Sequence, residues 1–152
     1  PDIVRTARAL RGENPIKTAE NICRWVADNL HPEGYVRRAR GALYALTHGK
    51  GDCTEAMYLF VALCRAAGIP ARGVGGYIRP HSGTLKPEGY HNWAHFHDGV
   101  CWQTADPQNR VFRAQAADYS VMRVMGAAGE AADPGFLRFR LNGAGLKARM
   151  HS

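Results

Sequence analysis

The chain has 152 residues, 45% of them hydrophobic and 22% charged, which is enough to build one globular domain with its own core. Its 20 lysines and arginines outnumber 13 aspartates and glutamates, and the net charge of +7 favours acidic partners. No apolar run approaches the ~20 residues of a membrane helix. The basic residues are scattered, which argues against a dedicated nucleic-acid-binding protein.

The first half of the chain predicts helices. Asn14-Pro15 is typical of a helix start, and the apolar positions that follow keep a helical period until His31-Pro32. A shorter helix is predicted from Ala42 to Thr47. A third begins at Cys53 and stops at Gly68, since a glycine followed by a proline ends helices.

The second half predicts strands instead. Strand-like runs cover residues 72–80, 91–97, 100–106 and 111–115, with a loop at 80–90, an ambiguous stretch at 118–125 and a half-exposed strand at 136–141. Helices followed by antiparallel strands indicate an α+β fold. We expect one domain over residues 1–152, part of a longer chain since residue 1 is a proline.

Asp98-Gly99 lies between two strand-like runs, a strong signal for a two-residue hairpin turn. With these as the turn residues, His97 faces Val100 and, further along the ladder, His91 faces Asp106. Opposed residues have Cβ atoms about 5 Å apart, within reach of a hydrogen bond between imidazole and carboxylate. The spacing therefore predicts a His-Asp pair at the open end of a hairpin.

Such a pair needs a nucleophile on the other imidazole nitrogen, and Cys53 is the best candidate. At a helix start, unpaired N–H groups and the helix dipole stabilise a thiolate. The thiolate would attack a carbonyl and form a thioester, with the N–H of Cys53 as an oxyanion donor. Asp106 would fix the tautomer of His91 and stabilise its protonated form.

Plainer interpretations exist for each residue type. Cys53 could be a helix-start cysteine with no role, and His91 an ordinary strand histidine. The remaining cysteines, Cys23, Cys64 and Cys101, fit core positions. The four cysteines form no C-x-x-C pair, which argues against a zinc ribbon. A chain of this length can rely on its core, which argues against a disulfide scaffold.

The histidines that share a strand face with His91 also suggest a metal site as an alternative. His91 and His95 are roughly 13 Å apart on a strand, too far to share one zinc ion. His95 and His97 are closer but lack further ligands. We expect neither a metal nor a cofactor.

Two segments, "GDCTEAMYLFVALCRAAGIPAR" and "YHNWAHFHDGVCWQTADPQ", and their order along the chain resemble the core of the transglutaminase-like superfamily. The resemblance is specific from about Asn14 to Gln108, and the core that its motifs cover extends over about residues 14–112. It implies a papain-like fold in which the nucleophile starts a helix packed on an antiparallel sheet. It also implies a triad with Cys53 as nucleophile, His91 as base and Asp106 as orienting carboxylate.

Two details of the resemblance concern the cleft. Many relatives carry glutamate four positions after the histidine, where this chain has His95. The upstream residue on the oxyanion side has no clear match; Trp25, Tyr35 and Tyr44 are the candidates. The loop at 80–90 is predicted to border the cleft.

The resemblance implies thiol-dependent acyl transfer on amide bonds of a protein or peptide, with hydrolysis favoured. The alternatives are a protein-glutamine transamidase or deamidase, including an effector or toxin domain, and a catalytically silent binding module. An acidic substrate fits the basic charge, with no nucleic-acid or membrane partner expected. The sequence does not determine the cellular compartment of the protein. The cytoplasm is slightly favoured, and export is also compatible with the sequence.

Overall fold

The computed structural model describes residues 2–35, 38–78, 86–114 and 118–125. Its helices are α1 (Asp2–Ala9), α2 (Pro15–Asn29), α3 (Gly41–His48) and α4 (Cys53–Ala66). The strands are β1 (His31–Pro32), β2 (Lys50–Gly51), β3 (Ala71–Ile78), β4 (Tyr90–His97), β5 (Trp102–Asp106), β6 (Val111–Phe112) and β7 (Tyr119–Val124). This is the predicted α+β order, with the unpredicted α1, β1 and β2 added.

The three helix starts and stops predicted from sequence are confirmed. Asn14 caps α2 by accepting a hydrogen bond from the backbone N of Lys17 at 2.8 Å, and Pro15 occupies the first turn. Gly68 adopts a φ of 86° after α4, in the left-handed region that glycine enters without strain.

A five-stranded antiparallel sheet has the strand order β6-β5-β4-β3-β7. Helix α4 packs on one face of it, and α1, α2 and α3 pack around α4. Phe60 of α4 is fully buried and contacts Phe96 of β4 edge-on, with ring centroids 6.3 Å apart. Replacing Phe60 by alanine would cost about 3–5 kcal/mol.

The opposite face of the sheet has a smaller core of its own, formed by Val74, Trp93 and Tyr119. Tyr119 reaches this core because β7 pairs closely with β3. A Cβ atom on Gly76 would lie 2.0 Å from the backbone oxygen of Ser120, so only glycine permits this approach. The stretch at 118–125, ambiguous from sequence, is therefore a strand that closes one edge of the sheet.

The predicted register of the β4–β5 hairpin is wrong by two residues. His97 pairs with Trp102 rather than Val100, so the connection is a four-residue loop from Asp98 to Cys101. The Asp98 carboxylate accepts hydrogen bonds from the backbone N atoms of Val100 at 2.8 Å and Cys101 at 2.9 Å. This side-chain closure replaces the two-residue turn.

Other sequence predictions differ from the structure or lie outside its described residues. Cys101 is exposed in that loop and is not a core strand residue. Of the predicted run at 111–115, residues 111–114 are described, and among these only Val111–Phe112 form a strand, β6, because Arg110 and Arg113 on either side have φ values of 58° and 57°. The predicted strand at 136–141 and most of the loop at 80–90 lie outside the described residues; Pro87–Gly89 form a short 3-10 helix.

Candidate active site

Cys53 is the first residue of α4, and its position is fixed by a capping box. The Asp52 side chain accepts a hydrogen bond from the backbone N of Thr54 at 2.7 Å, while the Glu55 side chain accepts one from the backbone N of Asp52 at 3.2 Å. The Cys53 residue is 7% exposed. The thiol thus lies at the positive end of a 14-residue helix, where an anion is stabilised.

The Glu55 carboxylate also holds the chain that precedes the helix. It is fully buried and accepts a second hydrogen bond from the backbone N of Arg40 at 2.7 Å. Burial raises the pKa of Glu55, and the backbone donors of Arg40 and Asp52 oppose that rise. A Cβ atom on Gly51 would lie 2.3 Å from Cβ of Glu55, so the close approach requires glycine there.

The start of α4 is tied to the strand that carries the histidine. The Asn92 amide nitrogen donates to Oγ1 of Thr54 at 3.0 Å, and Asn92 is 4% exposed. Thr54 follows Cys53 and Asn92 follows His91, so this buried contact joins the neighbours of the two candidate residues. It fixes the distance between nucleophile and base.

His91 and Asp106 are in direct contact, as the sequence predicted. Nε2 of His91 lies 2.8 Å from Oδ2 of Asp106, with the two side chains 14% and 1% exposed. The two-residue register error keeps both side chains on the same face of the sheet, where they meet diagonally rather than directly opposite.

The His91 ring lies between Asp106 and Cys53. Burial by itself would lower the pKa of His91, but hydrogen bonds to Asp106 and Cys53, together with their charges, raise it to about 9. Burial would raise the pKa of Asp106, but the hydrogen bond and charge of His91 hold it below its usual value. The pair therefore favours an imidazolium beside an ionised carboxylate at neutral pH.

Two residues that sequence reasoning missed surround Asp106. The Asn109 amide nitrogen donates to Oδ2 at 2.7 Å, and the Tyr119 hydroxyl donates to the same oxygen at 3.1 Å. Burial raises the pKa of Tyr119, and the charge of Asp106 raises it further, so the hydroxyl stays a donor. Asn109 follows Asp106 in a tight turn and was readable in principle; nothing local pointed to Tyr119.

The other cysteines lie in different surroundings. Cys23 and Cys64 are buried, as predicted. Burial, followed by the charge of Asp106, raises the pKa of Cys23 to about 12, and burial likewise raises the pKa of Cys64. Cys101 is exposed and far along the hairpin from His91.

His95 lies on the same face of β4 as His91. Burial and the nearby charge of Arg72 lower the pKa of His95 to about 4, and His95 pairs with Thr104 in the sheet. Among the described residues, no three histidine, cysteine or acidic side chains converge as metal ligands.

No described helix has the length and apolar character needed to cross a membrane.

The three aromatic candidates for the oxyanion side have different surroundings. Trp25 packs against the main core. Tyr35 is 63% exposed. Tyr44 stacks on His48, with ring centroids 4.2 Å apart, and its hydroxyl accepts from Arg40 at 2.6 Å. None of these contacts assigns an oxyanion role.

A cavity of about 280 Å³ is lined by sequence neighbours of the candidate nucleophile and carboxylate, but not by Cys53, His91 or Asp106. Gly51 and Asp52, which precede the candidate nucleophile, line one part of it, and Pro107 and Gln108, which follow the carboxylate, line another. The cavity therefore lies next to the chain on either side of the thiol–imidazole–carboxylate arrangement.

Comparisons with known proteins give a family match and a sequence relative. The family model of the transglutaminase-like superfamily matches residues 4–107. An uncharacterized protein of Haemophilus influenzae is 43% identical over 67 residues, which cover 41% of this chain and 18% of that protein.

Two solved structures share the fold. A proposed cysteine protease from Cytophaga hutchinsonii is 26% identical with a TM-score of 0.62, over 82% of this chain and 46% of that one. The periplasmic domain of TgpA from Pseudomonas aeruginosa is 23% identical with a TM-score of 0.58, over 72% of this chain and 43% of that one. The chain thus spans less than half the length of each of these relatives.

Proposed function

Because this chain belongs to the transglutaminase-like superfamily, whose members include thiol-dependent hydrolases and acyltransferases, we propose that it cleaves amide bonds in proteins or peptides through Cys53, His91 and Asp106. The observation that carries the proposal is the His91 ring, held between a buried carboxylate and a cysteine at a helix start. An acidic substrate would complement the net charge of +7.

The reaction begins with the thiolate of Cys53 and the imidazolium of His91. The sulfur attacks the amide carbonyl, and the N–H of Cys53 donates to the oxyanion that forms. His91 then passes its proton to the departing amine as the C–N bond breaks, which leaves a thioester. His91, now neutral, takes a proton from water as the water attacks the thioester; the C–S bond then breaks, the acid product leaves, and the thiolate and imidazolium of the starting state are restored.

Asp106 acts through His91 in both steps. Its hydrogen bond to Nε2 leaves Nδ1 of the ring to exchange a proton with the sulfur and the leaving amine. The ionised carboxylate offsets the charge of the imidazolium and so raises the pKa of His91.

Mass spectrometry distinguishes the possible acyl acceptors. The full chain is incubated with glutamine-containing peptides, with and without a primary amine, and compared with Cys53→Ala and with Cys101→Ala as an exposed-cysteine control. Chain cleavage that needs Cys53 but not Cys101 supports the proposal. Incorporation of the amine indicates a transamidase, and a gain of about one mass unit per glutamine, as the amide becomes an acid, indicates a deamidase.

A labelling experiment tests the nucleophile without a substrate. Limited iodoacetamide near pH 6 is expected to modify Cys53 before the other cysteines, because its thiolate is paired with His91. Exposure alone would favour Cys101, so preferential modification of the nearly buried Cys53 reports activation rather than access. First modification of Cys101, with Cys53 inert, would contradict the proposal and favour a silent binding module.

A further inference from the structure

One carboxylate oxygen of Asp106 accepts from three donors. His91 Nε2 lies 2.8 Å from Oδ2, the Asn109 amide nitrogen 2.7 Å, and the Tyr119 hydroxyl 3.1 Å. By contrast, Oδ1 accepts from the backbone N of Asn109 at 3.4 Å. Since a carboxylate oxygen offers two lone pairs, the three donors share its charge.

The orientation of the Asn109 amide follows from this arrangement. Its nitrogen is 3.2 Å from Nε2 of His91, and both groups are donors directed at the same oxygen. The reversed amide would place a carbonyl oxygen 2.7 Å from the Asp106 carboxylate, which is repulsive. Asn109 is exposed, so its amide covers the solvent side of the His91–Asp106 hydrogen bond.

Tyr119 approaches from the buried side. The residue is 8% exposed, and its ring packs edge-on against Trp93 with centroids 5.0 Å apart. Trp93 in turn lies parallel to the His91 ring at 6.2 Å. The hydroxyl is therefore held against Asp106 by the same aromatic group that borders the imidazole.

We propose that Asn109 and Tyr119 are positioning residues for the thiol chemistry, which share Oδ2 of Asp106 with His91 and so set how strongly the carboxylate holds the imidazolium. The inference rests on the proposed function, because it gives these residues an effect only through His91. Both residues follow the segment matched by the family, which ends at residue 107.

Several titratable groups face this cluster. Cys53 approaches His91 from α4, Cys23 approaches Asp106 from α2, and Asp118 lies beside Tyr119. Cys23 keeps its proton across the working range because its pKa is raised to about 12. In the described part of the chain, the alkaline change near the site therefore belongs to His91.

The test measures the rate at which iodoacetate alkylates Cys53 as a function of pH in the full chain. An anionic reagent needs both the thiolate and the positive imidazolium, so the profile is bell-shaped and its alkaline limb reports His91. Asn109→Asp is compared with Asn29→Asp, which adds the same charge at an exposed residue at the end of α2. Tyr119→Phe is compared with Tyr58→Phe on α4.

We expect Asn109→Asp to move the alkaline limb upward by about one pH unit, because a second carboxylate stabilises the imidazolium. Tyr119→Phe is expected to move it upward by about half a unit, because Oδ2 gives more of its charge to His91 when a donor is lost. In both controls the alkaline limb should stay within about 0.2 pH unit of that of the parent chain, since solvent and salt screen a change that is exposed or distant from His91.

Two results would overturn the inference. The first is an alkaline limb in the Asn109 and Tyr119 variants that coincides with the limb of their controls. The second is an alkylation rate that falls equally at every pH, which would show that these residues have only a structural role. Thermal melts identify variants that fail to fold. A parent chain without a bell-shaped profile, and with Cys53 no faster than Cys101, would instead overturn the proposed function itself.

Discussion

Around Cys53 the supporting contacts come mostly from its own stretch of chain, whereas around His91 they come from separate strands and a turn. Asp52 and Glu55 fix the helix start through backbone hydrogen bonds made within three residues. Asp106, by contrast, is held by side chains from the turn after β5 and from β7. Damage to the first region should therefore cost folding free energy, and damage to the second should cost turnover.

The largest expected effect is on turnover, from Asp106→Asn. The substitution is nearly isosteric, but an amide can hold the wrong histidine tautomer and cannot stabilise the imidazolium, so kcat should fall by about 10⁴-fold. The measurement is peptide turnover together with a thermal melt, which should show a folded protein. Asp98→Asn, another carboxylate whose bonds close the hairpin loop, should leave kcat unchanged; equal losses in the two variants would contradict the comparison.

Glu55→Ala should have its main effect on stability. It leaves the backbone N–H groups of Asp52 and Arg40 without their buried acceptor, so the free energy of unfolding should fall by about 3 kcal/mol. Chemical denaturation measures the loss. Glu20→Ala is the matched control, since its ion pair with Lys17 lies at the surface, where solvent screens it and it contributes little to stability. A loss no greater than the control's would show that the capping box is dispensable.

The stability of the base side should depend on alkaline pH. The folded-state pKa of His91 is raised to about 9 from an ordinary 6.5, so its contribution is complete below about pH 6.5 and disappears as pH rises through about 9. The loss is at most about 3 kcal/mol, from the linkage between pKa and stability. Denaturation at pH 6 and pH 10 measures it; the same dependence in His91→Gln would assign it to another group.

The smallest effect is expected from Asp28→Asn. Asp28 pairs with Arg110 at 2.6 Å and tethers the turn that carries Asn109 to α2. Both side chains are at least half exposed, so the pair should contribute less than about 1 kcal/mol, and less in high salt. Denaturation and kcat are both measured. A large fall in kcat without loss of stability would show that the tether, rather than Asp106, positions Asn109.

The sequence predicted those parts of the site that have local signals. Cys53 follows a helix cap, and His91 lies in a strand whose burial largely alternates along the chain. Asp106 lies in the next strand, which a single hairpin loop joins to the strand of His91. The register was wrong because Asp98 uses its side chain to close the loop, which a dipeptide preference does not reveal. Even so, a two-residue offset preserves the sheet face, which is why the contact exists.

The contacts that support Cys53 and Asp106 had weaker signals in the sequence. Asp52-Cys53-Thr54-Glu55 has the pattern of a capping box and could have been recognised. Tyr119 could not, because the pairing of β7 with β3 joins distant parts of the chain and depends on the close approach at Gly76. Sequence periodicity indicates which residues form a strand, but not which edge that strand will join.

The edge position of β7 also orders events while the chain is being made. The helix that presents Cys53 and its capping box is translated well before Tyr119, because synthesis proceeds from the N-terminus. A nascent chain that stops short of β7 already has its nucleophile but lacks a buried donor to the carboxylate behind the base. The buried donor to the carboxylate is thus the last part of the described site to be synthesised, after the nucleophile, the base and the carboxylate itself.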